Sequence, residues 1–122
     1  MRGFGELEAK IMDRLWSRDE PATVREVLED LRAGQRVIAY TTVMTVMDNL
    51  HTKGYLLRKL DGRAYRYRPS ESREHYVAEL MRDALTTSTD HAATLVRFTE
   101  QLDEDESLAL RTALRKIARR KP

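Results

Sequence analysis

The chain has no cysteine, and among its 122 residues only 5 are glycine, 3 are proline and 2 are phenylalanine. Each shortage excludes something. Without thiols there is no disulfide scaffold, no cysteine-based zinc finger and no thiol catalysis, and the absence fits a reducing cytoplasm. Little glycine and proline beside abundant Leu, Ala, Glu and Arg argues against a β-sandwich or barrel and for a largely helical chain. No run approaches the roughly 20 apolar residues that span a bilayer. The opening Met1-Arg2-Gly3-Phe4-Gly5 lacks the apolar centre of a signal peptide, so a cytoplasmic protein without membrane insertion is expected. An excess of one charge is missing too: 22 Lys and Arg meet 20 Asp and Glu, a net charge of +2 that says little about partners.

Catalytic constellations are also absent. His51, His75 and His91 are too scattered to form a ligand pair at helical spacing, and each sits in a polar helical context where solvation accounts for it. No glycine-rich phosphate loop exists, and no nucleophile stands beside a candidate base. The expectation is a protein that is not an enzyme, with no catalytic residue, metal site or cofactor.

What is present is amphipathic periodicity. Leu7, Ile11 and Leu15, with Trp16 alongside, oppose Glu6, Glu8, Lys10, Asp13 and Arg14, which predicts a first helix ending at Asp19-Glu20-Pro21. Thr23 stands three residues before Glu26, a capping-box spacing that opens a second helix with stripe Val24, Val27, Leu28 and Leu31, closed by Gly34. Arg36-Val37-Ile38 favours β structure but is too short to stand alone, so it reads as an edge piece awaiting a sheet. A third helix follows from about Ala39 to Lys53, with Val43, Val46, Met47 and Leu50 inward and Thr41, Thr45, Asp48 and Thr52 opposite. Two β-prone runs, 55–60 and 63–69, flank Asp61-Gly62, a strong signal for a hairpin with a type I′ turn. Pro69 ends the ladder.

From Ser70 onward the reading is helical in three pieces. The first carries Tyr76, Val77, Leu80, Met81, Ala84 and Leu85 and breaks at Thr86-Thr87-Ser88-Thr89-Asp90; the second carries Ala92, Leu95, Val96, Phe98 and Leu102. Asp103 with Glu106 repeats the capping-box spacing and opens the third, whose stripe is Leu110, Leu114 and Ile117.

Segmenting the charge turns a bland total into a pattern. Residues 1–35 carry net −2, residues 36–69 net +5 and residues 70–122 net −1. The positive charge is concentrated on the third helix and the hairpin, where Arg alternates with Tyr in Tyr65-Arg66-Tyr67-Arg68. Such a stripe suits a phosphate-bearing partner.

The order helix, helix, short strand, helix, strand, turn, strand is that of a winged helix-turn-helix, in which the third helix enters the major groove of double-stranded DNA and the hairpin lies along the backbone. The expected fold is mainly α with a small β-wing: a winged-helix DNA-binding domain over residues 1–69 and a helical dimerisation region over residues 70–122. Thr41, Thr42 and Thr45 offer hydroxyls and methyls to base edges, although a threonine near a helix start also serves as a cap, and Asp48 on the same face repels phosphate. Tyr40, Asn49 and Lys53 complete the helix's DNA-facing set, and Arg58, Arg63 and Arg66, with Lys59 and Arg68, are expected phosphate contacts on the wing; the alternative for these cations is a solvated strand face. A winged helix that binds only protein is a further alternative, against which the +5 segment argues.

Residues 70–122 are too few to bury an adequate core alone. A two-fold exchange of helices through Tyr76, Leu80, Leu95, Phe98, Leu102, Leu110, Leu114 and Ile117 would cover their stripes and set two recognition helices one or two DNA turns apart, matching a palindrome. The alternative, a tail folded back on its own winged helix, is disfavoured because the wing and first helix offer no obvious apolar patch.

The run Ala39-Tyr40-Thr41-Thr42-Val43 through Leu50, then Lys53-Gly54-Tyr55-Leu56 and Arg63-Ala64-Tyr65-Arg66-Tyr67, together with Glu6-Leu7-Glu8, Ile11-Met12 and Leu15-Trp16, resembles the BlaI/MecI family of penicillinase repressors. The resemblance covers the winged helix closely and the tail loosely. It implies a homodimeric repressor that binds a palindromic operator in promoters of β-lactam resistance genes and is inactivated when a membrane sensor protease cuts its C-terminal region; a winged-helix regulator with a different inducer is the alternative. Cleavage in the family falls at an Asn-Phe bond. The tail's one phenylalanine, Phe98, follows Arg97, making Arg97-Phe98 the candidate bond, with packing of Phe98 in a core or dimer as the other reading. The family's copper-responsive branch uses a cysteine motif, which is missing here.

Overall fold

A computed structural model describes residues 3–34 and 37–120. Its first element, α1 (Glu6–Ser17), starts where the Glu8 carboxylate accepts the Gly5 N–H at 2.9 Å, and it turns Ile11, Met12 and Leu15 inward. The capping box of α2 (Val24–Ala33) forms as its spacing predicts: Thr23 Oγ1 accepts the Glu26 N–H at 3.1 Å and Glu26 Oε1 accepts the Thr23 N–H at 2.9 Å. Arg18, just past α1, forks onto Asp30 of α2 at 3.0 and 3.2 Å and fixes the two helices at their ends. In α3 (Tyr40–Thr52) Val43, Met47 and Leu50 are fully buried while Val46 is half-buried at the edge of the stripe.

The hairpin pairs β1 (Leu56–Asp61) with β2 (Ala64–Pro69) in antiparallel register from Leu56↔Pro69 to Asp61↔Ala64. Asp61 is therefore still paired, and the turn's central residues are Gly62 and Arg63, not Asp61 and Gly62. Gly62 has φ 66°, the positive value that both hairpin turn types require at their first central position. Ala22 adds an isolated bridge to the free edge of β2, exchanging hydrogen bonds of 2.9 and 2.8 Å with Tyr67. The β-favouring Val37 and Ile38 take no part; Arg36 lies outside the described residues. Val37 is fully exposed and Ile38 packs against the core from a loop, so the edge position goes to the small, fully buried Ala22.

The remaining elements are α4 (Arg73–Thr86), α5 (His91–Thr99) and α6 (Glu104–Arg120); α5 ends short of Leu102, which the apolar spacing assigns to it and which lies in the connection to α6. Asp90 caps α5 by accepting the Ala93 N–H at 3.0 Å, and Asp103 and Glu106 close the second capping box at 3.0 and 2.8 Å. The chain divides into two compact units, Met1–Leu80 and Met81–Pro122. Every buried apolar residue among those described belongs to the first, where the three helices meet Ala22, Leu56 and Tyr67.

The start of α4 belongs to this first unit. Tyr76 stacks on Phe4 with centroids 4.2 Å apart and accepts the Phe4 N–H at 2.8 Å; Tyr55 meets Phe4 edge-on and Trp16 lies within 5.6 Å of Tyr76. Burial pushes the Tyr76 phenol up. An apolar docking patch thus exists beside the first helix, built from aromatic residues too far apart in the chain for any periodicity to gather them. Among the described residues of the second unit no side chain is fully buried: Leu102 and Leu110 are half-buried, and Leu95, Val96, Phe98, Leu108, Leu114 and Ile117 are 40% to 58% exposed. No helix among the described residues is long and apolar enough to cross a membrane.

Candidate nucleic-acid interface

With one side of α3 committed to the core, 100° per residue sends Thr41, Thr45, Asp48 and Thr52 outward, flanked by Met44 and Asn49. All six are exposed, as are Tyr40 and Thr42 at the helix start. The threonines do not serve as caps: the N-cap is Ala39, without a side-chain bond. Met44, 42% exposed among these polar residues, was not singled out by periodicity, which groups methionine with the core. Arg25 was missed as well. Its guanidinium lies 5.2 Å from the Tyr40 ring centroid, adding a cation beside the helix start that its place on α2 did not suggest.

Strand alternation divides the wing's side chains between two faces. Arg58, Leu60, Tyr65 and Tyr67 share one. There Arg58 Nη1 donates to Asp48 Oδ1 at 2.8 Å and to the Tyr67 hydroxyl at 3.4 Å, while its guanidinium sits 4.3 Å from the Tyr65 centroid. These bonds, Tyr67 first and then Asp48, raise its pKa further. The carboxylate on the helix face is thereby neutralised from the wing. Leu57, Lys59, Arg66 and Arg68 share the other face, and an open cleft of about 390 Å³ lies along the wing, bordered by Pro21 and by residues of both strands.

The expected phosphate contacts separate accordingly. Arg66 donates to Asp61 at 2.8 Å, to Glu26 at 3.0 Å and to the Pro21 carbonyl at 3.5 Å, so it ties β2 to the start of α2. Its bond to Asp61 raises the Arg66 pKa, and Glu26 is held below the usual carboxylate range, first by the Thr23 N–H and then by Arg66. Lys53 pairs with Glu8 at 3.1 Å. Arg63 at the turn and Lys59 and Arg68 on the strands are exposed and form no ion pair with any described residue. The wing's uncommitted charge is therefore carried by Lys59, Arg63 and Arg68, whereas Arg58 and Arg66 are engaged internally.

The chain thus combines a three-helix core and a hairpin wing with a polar outward helix face and uncommitted wing cations. The penicillinase repressor family matches residues 4–116. This chain belongs to that family. It is 49% identical over 117 residues to the transcriptional regulator BlaI of Mycobacterium tuberculosis, a match covering 93% of this chain and 84% of the relative. In fold, this chain is similar to the transcriptional regulator Tm0710 of Thermotoga maritima, with 18% identity, TM-score 0.52 and coverage of 93% of this chain and 73% of the other. It is also similar to a mutant of the Staphylococcus aureus regulator MepR bound to an oligodeoxyribonucleotide, with 18% identity, TM-score 0.51 and coverage of 94% and 78%. The family and these relatives are transcriptional regulators, not enzymes.

The tail residues of this repressor fall into two groups. Tyr76 and the half-buried Leu80 lie in the first unit, and Tyr76 is engaged by Phe4 of its own chain. Leu95, Phe98, Leu114 and Ile117, with the partly covered Leu102 and Leu110, lie in the second. Arg97 and Phe98 sit near the end of α5, where Arg97 meets Glu100 at 3.5 Å.

Proposed function

We propose that this chain is a homodimeric transcriptional repressor that binds a palindromic operator in promoters of β-lactam resistance genes. Tyr40, Thr41, Thr42, Thr45 and Asn49 of α3 face the major groove, and Lys59, Arg63 and Arg68 of the wing meet phosphates. Arg58, Arg66 and Lys53 act from behind, holding wing and helix in place. The observation that carries this reading is the exposed hydroxyl face of α3 beside a wing whose outer cations have no ion-pair partner among the described residues. Dimerisation rests on a helical tail that leaves Leu95, Phe98, Leu114 and Ile117 uncovered.

Relief of repression is by proteolysis in the C-terminal region by a membrane sensor protease, with Arg97-Phe98 as the candidate bond. A protease needs an extended substrate, and the nine-residue α5, with no fully buried side chain, is short enough to open locally.

Selection of bound fragments from genomic DNA tests the central claim. The expected product is a palindrome whose half-sites are about one or two helical turns apart. No retention of any duplex at low salt would overturn the reading and leave the winged helix as a protein-interaction module.

A further inference from the structure

Asp48 is an anomaly on a surface meant for DNA: a carboxylate in the centre of the outward face of α3, between Thr45 and Thr52. Its side chain is 57% exposed, while that of its partner Arg58 is 24% exposed. An ion pair this open contributes little to folding stability, so stability is a poor account of it. The pairing is one-sided. Arg58 Nη1 bonds Asp48 Oδ1, and Oδ2 has no hydrogen-bond partner among the described residues. Arg58 is itself held by the Tyr67 hydroxyl and the Tyr65 ring, so the carboxylate is neutralised by a cation that is fixed in position.

We propose that Asp48 is a specificity residue that reads cytosine in each half-site, with Arg58 as the positioning residue that lets a carboxylate enter the groove. This rests on the operator-binding reading above. An ionised carboxylate only accepts hydrogen bonds. The major-groove donors are the N4 amino group of cytosine and the N6 amino group of adenine. Adenine sets its N7 acceptor beside N6, which repels a carboxylate; cytosine has no acceptor of its own on that edge. Oδ2 therefore selects cytosine N4, while Arg58 cancels the repulsion from phosphates on either side.

The test is selection from randomised duplexes with the full-length wild type and the variants Asp48→Ala, Asp48→Asn and Arg58→Ala. The wild type should require cytosine at one position per half-site. Asp48→Ala should level that position alone, reducing discrimination there by about tenfold. Asp48→Asn should shift it toward adenine, whose N6 and N7 an amide can engage together. Arg58→Ala should lose preference at the same position, whereas a merely structural role would weaken all positions alike. Asp48→Ala that binds every duplex more tightly with unchanged base preferences overturns the proposal, because the carboxylate is then only a repulsive charge. A wild-type site without a required cytosine overturns it as well. A wild type that retains no duplex overturns the operator-binding reading itself and this inference with it, and is distinguishable from both.

Discussion

Two halves of this chain carry the same kind of sequence and meet different ends. In the first unit, Leu and Val at three- and four-residue spacing on α1, α2 and α3 close around one another, and Ile11, Val27, Val43, Met47 and Leu50 are completely buried. In the second, Leu95, Leu114 and Ile117 recur on α5 and α6 at comparable spacing and stay about half exposed. A stripe states that a face needs cover; it does not state what covers it. Three helices and a hairpin supply enough opposing faces for a closed core, and two helices with part of a third do not.

The largest expected effect follows from that contrast. Leu50→Ala removes a fully buried side chain and should cost about 2–5 kcal/mol, measured as a loss of denaturation midpoint independent of protein concentration. Leu114→Ala should act differently. If its cover is a second copy, the loss of thermal stability shrinks as protein concentration rises, and sedimentation shows the population shifting toward monomer. A concentration-independent loss for Leu114→Ala would show that the tail covers itself and would erase the contrast.

A smaller effect separates the wing's two kinds of arginine. Arg63→Ala should reduce the slope of log affinity against log salt by about 1, roughly a three- to fourfold change in affinity between 50 and 200 mM salt. Arg66→Ala should leave that slope nearly unchanged and lower thermal stability instead, since its guanidinium is spent on Asp61, Glu26 and the Pro21 carbonyl. Equal slope changes for the two would mean that Arg66 releases its partners when DNA arrives.

These pairs also mark where sequence stops being informative. The helices, the hairpin and both capping boxes were legible because each depends on residues within a few positions: Thr23 with Glu26, Asp103 with Glu106, Gly62 at the turn. The helix and the hairpin of the candidate site were legible as elements. Which cations are free was not, because Arg66 finds Glu26 forty residues away and Lys53 finds Glu8 forty-five residues away. The same holds for Phe4 and Tyr76, seventy-two apart, whose stacking places the start of α4 with the winged helix. Val37 and Ile38 form no strand for a related reason: β propensity measures fit to a pleated surface, and Ala22 occupies the free edge of β2.

The smallest effect compares the two capping boxes. At Glu26 the carboxylate accepts the Thr23 N–H and also faces Arg66, whereas Glu106 accepts the Asp103 N–H and forms no ion pair with a described residue. Glutamine keeps the cap's acceptor and removes the charge. Glu26→Gln should therefore cost more than Glu106→Gln at neutral pH, by a small margin because Glu26 and Arg66 are each more than one-third exposed. The pH dependence fixes the sign. Folding lowers the Glu26 pKa, so its contribution is present above the ordinary carboxylate pKa and disappears as pH falls through the lowered value. Urea titrations from neutral to acid pH should show wild type and Glu26→Gln converging as the carboxylate protonates; a gap that persists in acid would trace the loss to packing, not to the Arg66 pair.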